Sequence, residues 1–302
     1  MVYQREMLVS KDSLQPVPLK KAEELLKILR SDLPYSLQAY GALQTFIEWS
    51  KKGGRQKLNI YTPHGHLEDG AVVGIYKPTD TYYFLSVYCI GNDTSVLRNA
   101  LLTTSRIKWD MEGIQVTFEG LSEKLLPVAE ECLARNNLQT TLNMRSVKFW
   151  LTPSRHVLND FPCPPEVHVA PLDPAFSSEI QSKWVHTFRG AAGHVEALID
   201  NNFGLGVYLR DTNELCAWVL CNQYSGLGIL HTRQEHRRKG YAQIMCHAMN
   251  EQLLRSGLLP QANVLASNPP SLKLFRELRF EACPDFFYIE ASAQPPPGDG
   301  SP

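Results

Sequence analysis

Residues 227–245, Leu227-Gly-Ile-Leu-His-Thr-Arg-Gln-Glu-His-Arg-Arg-Lys-Gly-Tyr-Ala-Gln-Ile-Met245, decide how the rest of the chain is read. Leu227–Leu230 is a short apolar run of strand type. Tyr241, Ile244, Met245, Ala248 and Met249 then recur at helical spacing, and Gly257 supplies a C-terminal cap. Arg237–Ala242 is therefore a strand-to-helix turn. The first N–H groups of a helix have no partner within it, and the helix dipole adds partial positive charge there. Such a turn is an anion site suited to a pyrophosphate. Gly240 lets the backbone approach a phosphate with no Cβ in the way, and the small Ala242 keeps the first helical turn open. The stretch has neither the Gly-Lys-Ser/Thr of a P-loop nor the Gly-x-Gly-x-x-Gly of a dinucleotide fold.

Working outward, the spacing predicts helices over Ser177–Phe188 and His194–Asn201. A hairpin of Gly206–Arg210 and Leu215–Cys221 turns at Asp211-Thr-Asn213. Downstream come a strand at Asn263–Ala266, a helix at Pro269–Leu278 and a strand at Phe286–Ile289. In that helix Ser271, Leu274, Phe275 and Leu278 fall at i, i+3, i+4 and i+7, so one face packs on a sheet.

Arg237-x-x-Gly240-x-Ala242 resembles the Gln/Arg-x-x-Gly-x-Gly/Ala signature of the GNAT superfamily of acyl-CoA-dependent N-acyltransferases. Glu235–Tyr241, with Gln261-Ala-Asn-Val-Leu265, looks like the glycine N-acyltransferase-like family, and Asn268–Phe280 is similar to the superfamily's second signature. The resemblance covers residues 167–290. It implies an α/β (α+β) GNAT fold there and acyl-CoA or acetyl-CoA as cosubstrate, with no metal. It also implies transfer of the acyl group to glycine or another small amine by direct attack on the thioester. Two other readings stand beside it: acetylation of a polyamine or protein amine, and a CoA-binding protein without turnover.

By the same resemblance, amides around Leu230 and Thr232 bind the pantetheine arm or thioester oxygen. Those of Arg238, Lys239, Gly240, Tyr241 and Ala242 bind the pyrophosphate, with Arg237 beside them as counter-charge. Asn268 reaches the arm from the other side, and its position before Pro269 equally fits a helix N-cap. Phe275 occupies the place where many such enzymes carry a tyrosine acid, so the thiolate must leave by another route. Glu235 takes the role of general base by carry-over. It also reads as an exposed glutamate paired with Arg233 or Arg237, and His231 and His236 are alternative bases. Trp184, Phe188 and Arg189 lie where acceptor loops sit; Arg189 reads either as a carboxylate anchor or as a surface arginine.

The first half repeats the pattern: a helix at Leu19–Leu33, a strand at Ala42–Trp49, and strands at Leu58–Tyr61, Ala71–Tyr76, Tyr82–Tyr88 and Ile114–Phe118. Helices at Val96–Thr103 and Ser122–Arg135 and a strand at Arg145–Leu151 complete it. This suggests a divergent copy of the same fold over residues 1–152. Its turn Ile90-Gly-Asn-Asp-Thr-Ser95 puts an acid where a phosphate would sit, so the copy is expected to bind no cofactor. Residues 153–174 hold six prolines (153, 162, 164, 165, 171 and 174) and read as an interdomain linker, and 291–302 as a flexible tail. On this view a fragment of residues 160–302 should bind CoA alone, if soluble, and one of residues 1–150 should not.

A net charge of −1 and no matching basic stripe argue against nucleic acid, which leaves Arg233, Arg237, Arg238 and Lys239 as counter-charge for CoA phosphates. No apolar run is long enough for a membrane span. The seven cysteines form no CxxC pair and most sit in apolar runs, as in a reducing compartment. The first residues mix Arg5 and Lys11 with Glu6 and Asp12 and lack an apolar core, unlike a secretory signal or a good mitochondrial presequence. The expectation is an intracellular protein, cytoplasmic or mitochondrial.

Overall fold

A computed structural model of the chain describes residues 12–53, 57–152 and 163–293. The first half runs β1 (Leu14–Pro16), α1 (Leu19–Arg30), α2 (Leu37–Lys51), β2 (Leu58–Pro63), β3 (Val72–Tyr76), β4 (Tyr82–Tyr88), α3 (Ser95–Thr103), β5 (Gln115–Ser122), α4 (Leu126–Arg135) and β6 (Leu138–Trp150). The second runs β7 (Val167–Pro171), α5 (Ser177–Lys183), α6 (Ala191–Asn201), β8 (Gly204–Leu209), β9 (Leu215–Cys221), β10 (Leu227–Thr232), α7 (Tyr241–Arg255), β11 (Gln261–Leu265), α8 (Pro269–Glu277) and β12 (Glu281–Ala293). The two halves have the same order of strands and helices, so the mixed α/β architecture is a tandem repeat.

Several expectations need correction. Ala42–Trp49 is not a strand but the body of α2. Residues 37–47 of this helix are all buried, because α1, the sheet and the second half enclose it. A helix buried on every side shows little amphipathic period, and its run of large apolar residues, Leu43 to Trp49, imitates a strand. The expected linker 153–174 contains β7. That strand lies at the edge of its sheet and pairs only with β8, which leaves room for Pro171 at its end. Residues 153–162 of that segment lie outside the described residues, as do 294–302 of the expected tail, and Ala291–Ala293 belong to β12. α5 stops at Lys183, with Trp184 in extended backbone.

The strands form a sheet of eight, in the order β1-β2-β3-β4-β5-β12-β6-β11, and a sheet of four, β10-β9-β8-β7. The halves have therefore exchanged their last strands. β12, the end of the second half, lies between β5 and β6 of the first. β6 lies between β12 and β11, pairing antiparallel with both. A core of Leu25, Leu29, Trp49, Tyr76 and Phe84 from the first half is shared with Ile180, Phe188, Val195 and Trp218 from the second.

This exchange argues against a second half that is soluble alone. Without β6, a fragment of residues 163–302 leaves β11 with no neighbour, and without β12 a fragment of residues 1–152 leaves β5 and β6 unjoined. Exposed ladder edges of this kind favour aggregation. Each fragment expressed alone is expected to be insoluble or to lack a cooperative thermal transition. Co-expression is expected to restore a single soluble complex, measurable by size-exclusion chromatography.

Candidate functional site

β10 and β11 lie side by side but belong to different sheets, so no backbone ladder closes the space between them. A cavity of about 480 Å³ fills it, lined along one wall by Leu227–Leu230 and along the other by Ala262–Leu265 and Ser267–Ser271. β10 is bulged at this wall. Its register on β9 jumps from Gly228↔Leu220 to His231↔Trp218, so Ile229 and Leu230 oppose Val219 alone. Ile229 adopts φ 51°. A β-branched residue in left-handed backbone costs on the order of 1–3 kcal/mol, and such strain gathers at functional sites. Here the bulge takes Ile229 and Leu230, both on the cavity wall, out of the regular ladder.

At the mouth, a second hollow of about 620 Å³ is lined by Leu230, His231, Thr232, Arg237, Arg238, Gly240, Tyr241, Ala242 and residues of α8. It shares Leu230, Pro270 and Ser271 with the inner cavity, so the two form one groove. Arg238 (φ 64°) and Gly240 (φ 80°) are both left-handed, and α7 begins directly after them without an acid in its first turn. No side chain caps this helix. Alternating backbone hands of this kind make a concave nest of N–H groups for an anion. The glycine is required by its φ, since a Cβ there would meet nothing within 4 Å. In the first half the corresponding helix end is occupied: the Asp93 carboxylate accepts from Ser95 N at 2.9 Å. That acid, foreseen from the sequence, fills the place of an anion.

Of the residues singled out from the sequence, Leu230, Thr232, Arg237, Arg238, Gly240, Tyr241, Ala242, Asn268 and Phe275 line the groove, and Lys239 does not. Asn268 caps α8, its side chain accepting from Ser271 N at 3.3 Å. Phe275 is buried between Phe149 and Phe280 with its edge on the cavity. Arg233 is held by Glu179 at 2.6 Å and Glu214 at 3.0 Å, which removes it from the set of free phosphate cations. Trp184 lines the inner cavity, whereas Arg189 is exposed and Phe188 is core.

Glu235 does not line the groove. It is exposed on the 3-10 turn Gln234–His236, beside His236 and Glu214, and a backbone N–H of its own turn holds its carboxylate below the usual range. The structure thus leaves it outside the lining of both hollows. His236 is buried, with Nε2 3.4 Å from Glu214, and lines only the mouth. His231, stacked on Trp218, also lines the mouth, and burial lowers its basicity.

Apart from Trp184, sequence reasoning missed the inner end. There the wall is Phe84, Glu119, Ser146, Trp184, His194 and Tyr288, drawn from both halves. Glu119 lies on β5 with 8% of its surface exposed, and Gln223 Nε2 donates to its Oε2 at 2.6 Å. Burial pushes its carboxyl up to about 8, against the opposing effects of Gln223 and the Lys148 ammonium. Lys148 is fully buried on β6, and burial brings it down to about 7; its Nζ donates to Gln38 Oε1 at 2.8 Å. Ser146 Oγ is buried and has no hydrogen-bond partner among the described residues. The one available signal was Glu119 itself, the single charge in an otherwise uncharged run from Ile114 to Leu121.

Comparison with known proteins bears on the fold. The family model described as FR47-like protein matches residues 204–288. We found no match among curated proteins. The X-ray structure of a Drosophila protein superposes with a TM-score of 0.81 at 20% identity, covering 94% of this chain and 99% of the other. A tandem GNAT protein from the clavulanic acid biosynthesis pathway superposes at 0.53 with 13% identity, covering 93% and 98%. A putative acetyltransferase from Pyrococcus horikoshii does so at 0.51 with 12% identity, covering 97% and 93%. The chain has a tandem GNAT fold whose second half, over residues 204–288, carries the FR47-like pattern.

Proposed function

We propose that the protein is an acyl-CoA-dependent N-acyltransferase that moves an acyl group from the CoA thioester to a small amine, glycine among the candidates. One observation carries this reading: an unzipped β10–β11 groove runs from an uncapped helix N-terminus to a half-apolar inner chamber. The nest at Arg238–Ala242 receives the pyrophosphate. Arg237 and Arg238, both lining the mouth, add counter-charge. The extended arm of the cosubstrate takes the place of a missing strand, with the bulged backbone at Ile229–Leu230 on one side and Asn268 on the other. The thioester then lies in the inner chamber, where a polarised carbonyl and a neutral amine need chiefly to be held in attack geometry.

The test is calorimetric titration with coenzyme A, followed by thiol release from acetyl-CoA and butyryl-CoA with glycine, spermidine and phenethylamine. Release that requires both an acyl-CoA and an amine supports acyl transfer, and the preferred amine names the acceptor class. Binding of CoA without thiol release with any amine would leave a CoA-binding protein.

A further inference from the structure

The acyl-transfer reading leaves its proton acceptor unassigned, because Glu235 stands outside the groove. We propose that Glu119, brought by the first half on β5, accepts the proton of the incoming amine at the inner end of the cleft. This inference rests on the acyl-transfer reading and adds to it a catalytic residue supplied by the first half of the chain.

Three observations converge on Glu119. First, it lines the same cavity as Leu230, Asn268 and Phe275, whereas Glu235 lines neither part of the groove. Second, the strand exchange explains how it gets there. β5, β12, β6 and β11 are consecutive in one sheet, and each sends a side chain to the chamber: Glu119, Tyr288, Ser146 and Asn263. Third, the chamber holds polar atoms with nothing to bond. Ser146 Oγ, in a residue 2% exposed, and Asn263 Oδ1 have no partner among the described residues. Buried polar groups are normally satisfied, so an unpaired pair lining a cavity points to a polar ligand there.

The surroundings suit a base that works near neutrality. Lys148 on β6 is the cation facing Glu119, and Glu290 on β12 is a second carboxylate acting on it. The phenols of Tyr76, Tyr82, Tyr224 and Tyr288 surround it, each raised by its own burial and further by Glu119. His186, on the same cavity wall, stands 3.5 Å from Glu290, and His194, also on that wall, is kept neutral by burial. Desolvation is the largest influence on Glu119 and raises it to about 8, close to the range in which a carboxylate is a useful base at physiological pH.

The step balances as follows. The ammonium R–NH3⁺ gives one proton to the Glu119 carboxylate, leaving R–NH2 and a neutral Glu119 carboxyl. The amine lone pair attacks the thioester carbon; a C–N bond forms and the carbonyl becomes an oxyanion. Collapse breaks the C–S bond, and the proton remaining in excess on nitrogen passes to the departing thiolate, giving the amide and free CoA thiol. Glu119 returns its proton to solvent through the open groove. No proton donor is required at Phe275.

The experiment compares wild type with Glu119→Gln and Glu235→Gln, following thiol release from acetyl-CoA with the same three amines between pH 6 and 10. In wild type the rate should rise with pH through an acid limb near 8, as Glu119 becomes ionised. In Glu119→Gln, kcat should fall by about 10²–10⁴-fold at pH 8. The limb near 8 should vanish, and calorimetric CoA affinity should stay within about twofold. If Glu119→Gln fails to fold, Glu119→Asp decides. A rate below wild type with the acid limb kept supports the base, and a profile without the limb overturns it. The proposal is also overturned if Glu119→Gln keeps the wild-type rate and profile, or if Glu235→Gln alone removes the limb. Absence of thiol release by wild type with every amine would instead overturn acyl transfer itself, and Glu119's role with it.

Discussion

Gly240→Asp is expected to lower the affinity for coenzyme A by about 100-fold or more, a loss of roughly 2.7 kcal/mol. The residue sits at φ 80° immediately before α7, within the concave turn that faces the mouth of the groove. Aspartate tolerates left-handed backbone better than most residues, and a Cβ at this position meets no atom within 4 Å. The fold should therefore survive, and the loss should come from a carboxylate set against a pyrophosphate. Gly240→Asn separates charge from conformation, being nearly the same shape and neutral. Calorimetry should show the asparagine variant weakened about tenfold or less and the aspartate variant far more. Equal losses in the two would place the cause in backbone strain and not in an anion site.

Gly41→Ala should destabilise the protein by roughly 3 kcal/mol or more, lowering the thermal midpoint by on the order of 6–12 °C. Helix propensity alone predicts the opposite sign, since alanine in a helix interior gains about 1 kcal/mol over glycine. Packing decides the matter. Gly41 lies in α2 where that helix touches the second half, and an added Cβ would overlap the Tyr224 carbonyl oxygen and the Gln261 side chain. Neither can step aside freely. Gln261 Nε2 donates to Leu37 O at 3.1 Å and to Tyr224 O at 3.0 Å, tying α2, the Asn222–Gly226 turn and β11 together. Gly193→Ala in α6 is the internal control. Nothing lies within 4 Å of a Cβ there, so the same exchange should be neutral or stabilising. Differential scanning calorimetry of the two variants measures both signs.

These two glycines mark the difference between what was legible from the chain and what was not. Gly240 announced itself because its turn is local: an apolar strand, a basic turn and a 3.6-residue period all fall within about twenty residues. The same locality made Asn268 and Phe275 readable, as a cap before Pro269 and as a position on one helical face. Gly41 gave no such sign, because its constraint comes from Tyr224 and Gln261, nearly two hundred residues away. α2 was misread for a related reason. Enclosed on all sides, it has no solvent face to impose a period on its sequence.

By itself, the sequence determined the elements of the second half from its first helix onward, that helix overrun at its end, together with the strand-to-helix turn at Arg237–Ala242 and an acid at the matching turn of the first half. Those features depend on hydrogen bonds and side-chain periods between near neighbours. Only the tertiary structure decided which strands lie side by side. β6 and β12 can complete either half's sheet by the same backbone hydrogen bonds, and nothing in Leu138–Trp150 or Glu281–Ala293 states which neighbour each will take. The exchange of those strands carries Glu119 of the first half into the cleft of the second, while the basic turn holds Glu235 on the outside. A carboxylate's role follows from its burial and its neighbours, and both are set by pairing across the whole chain.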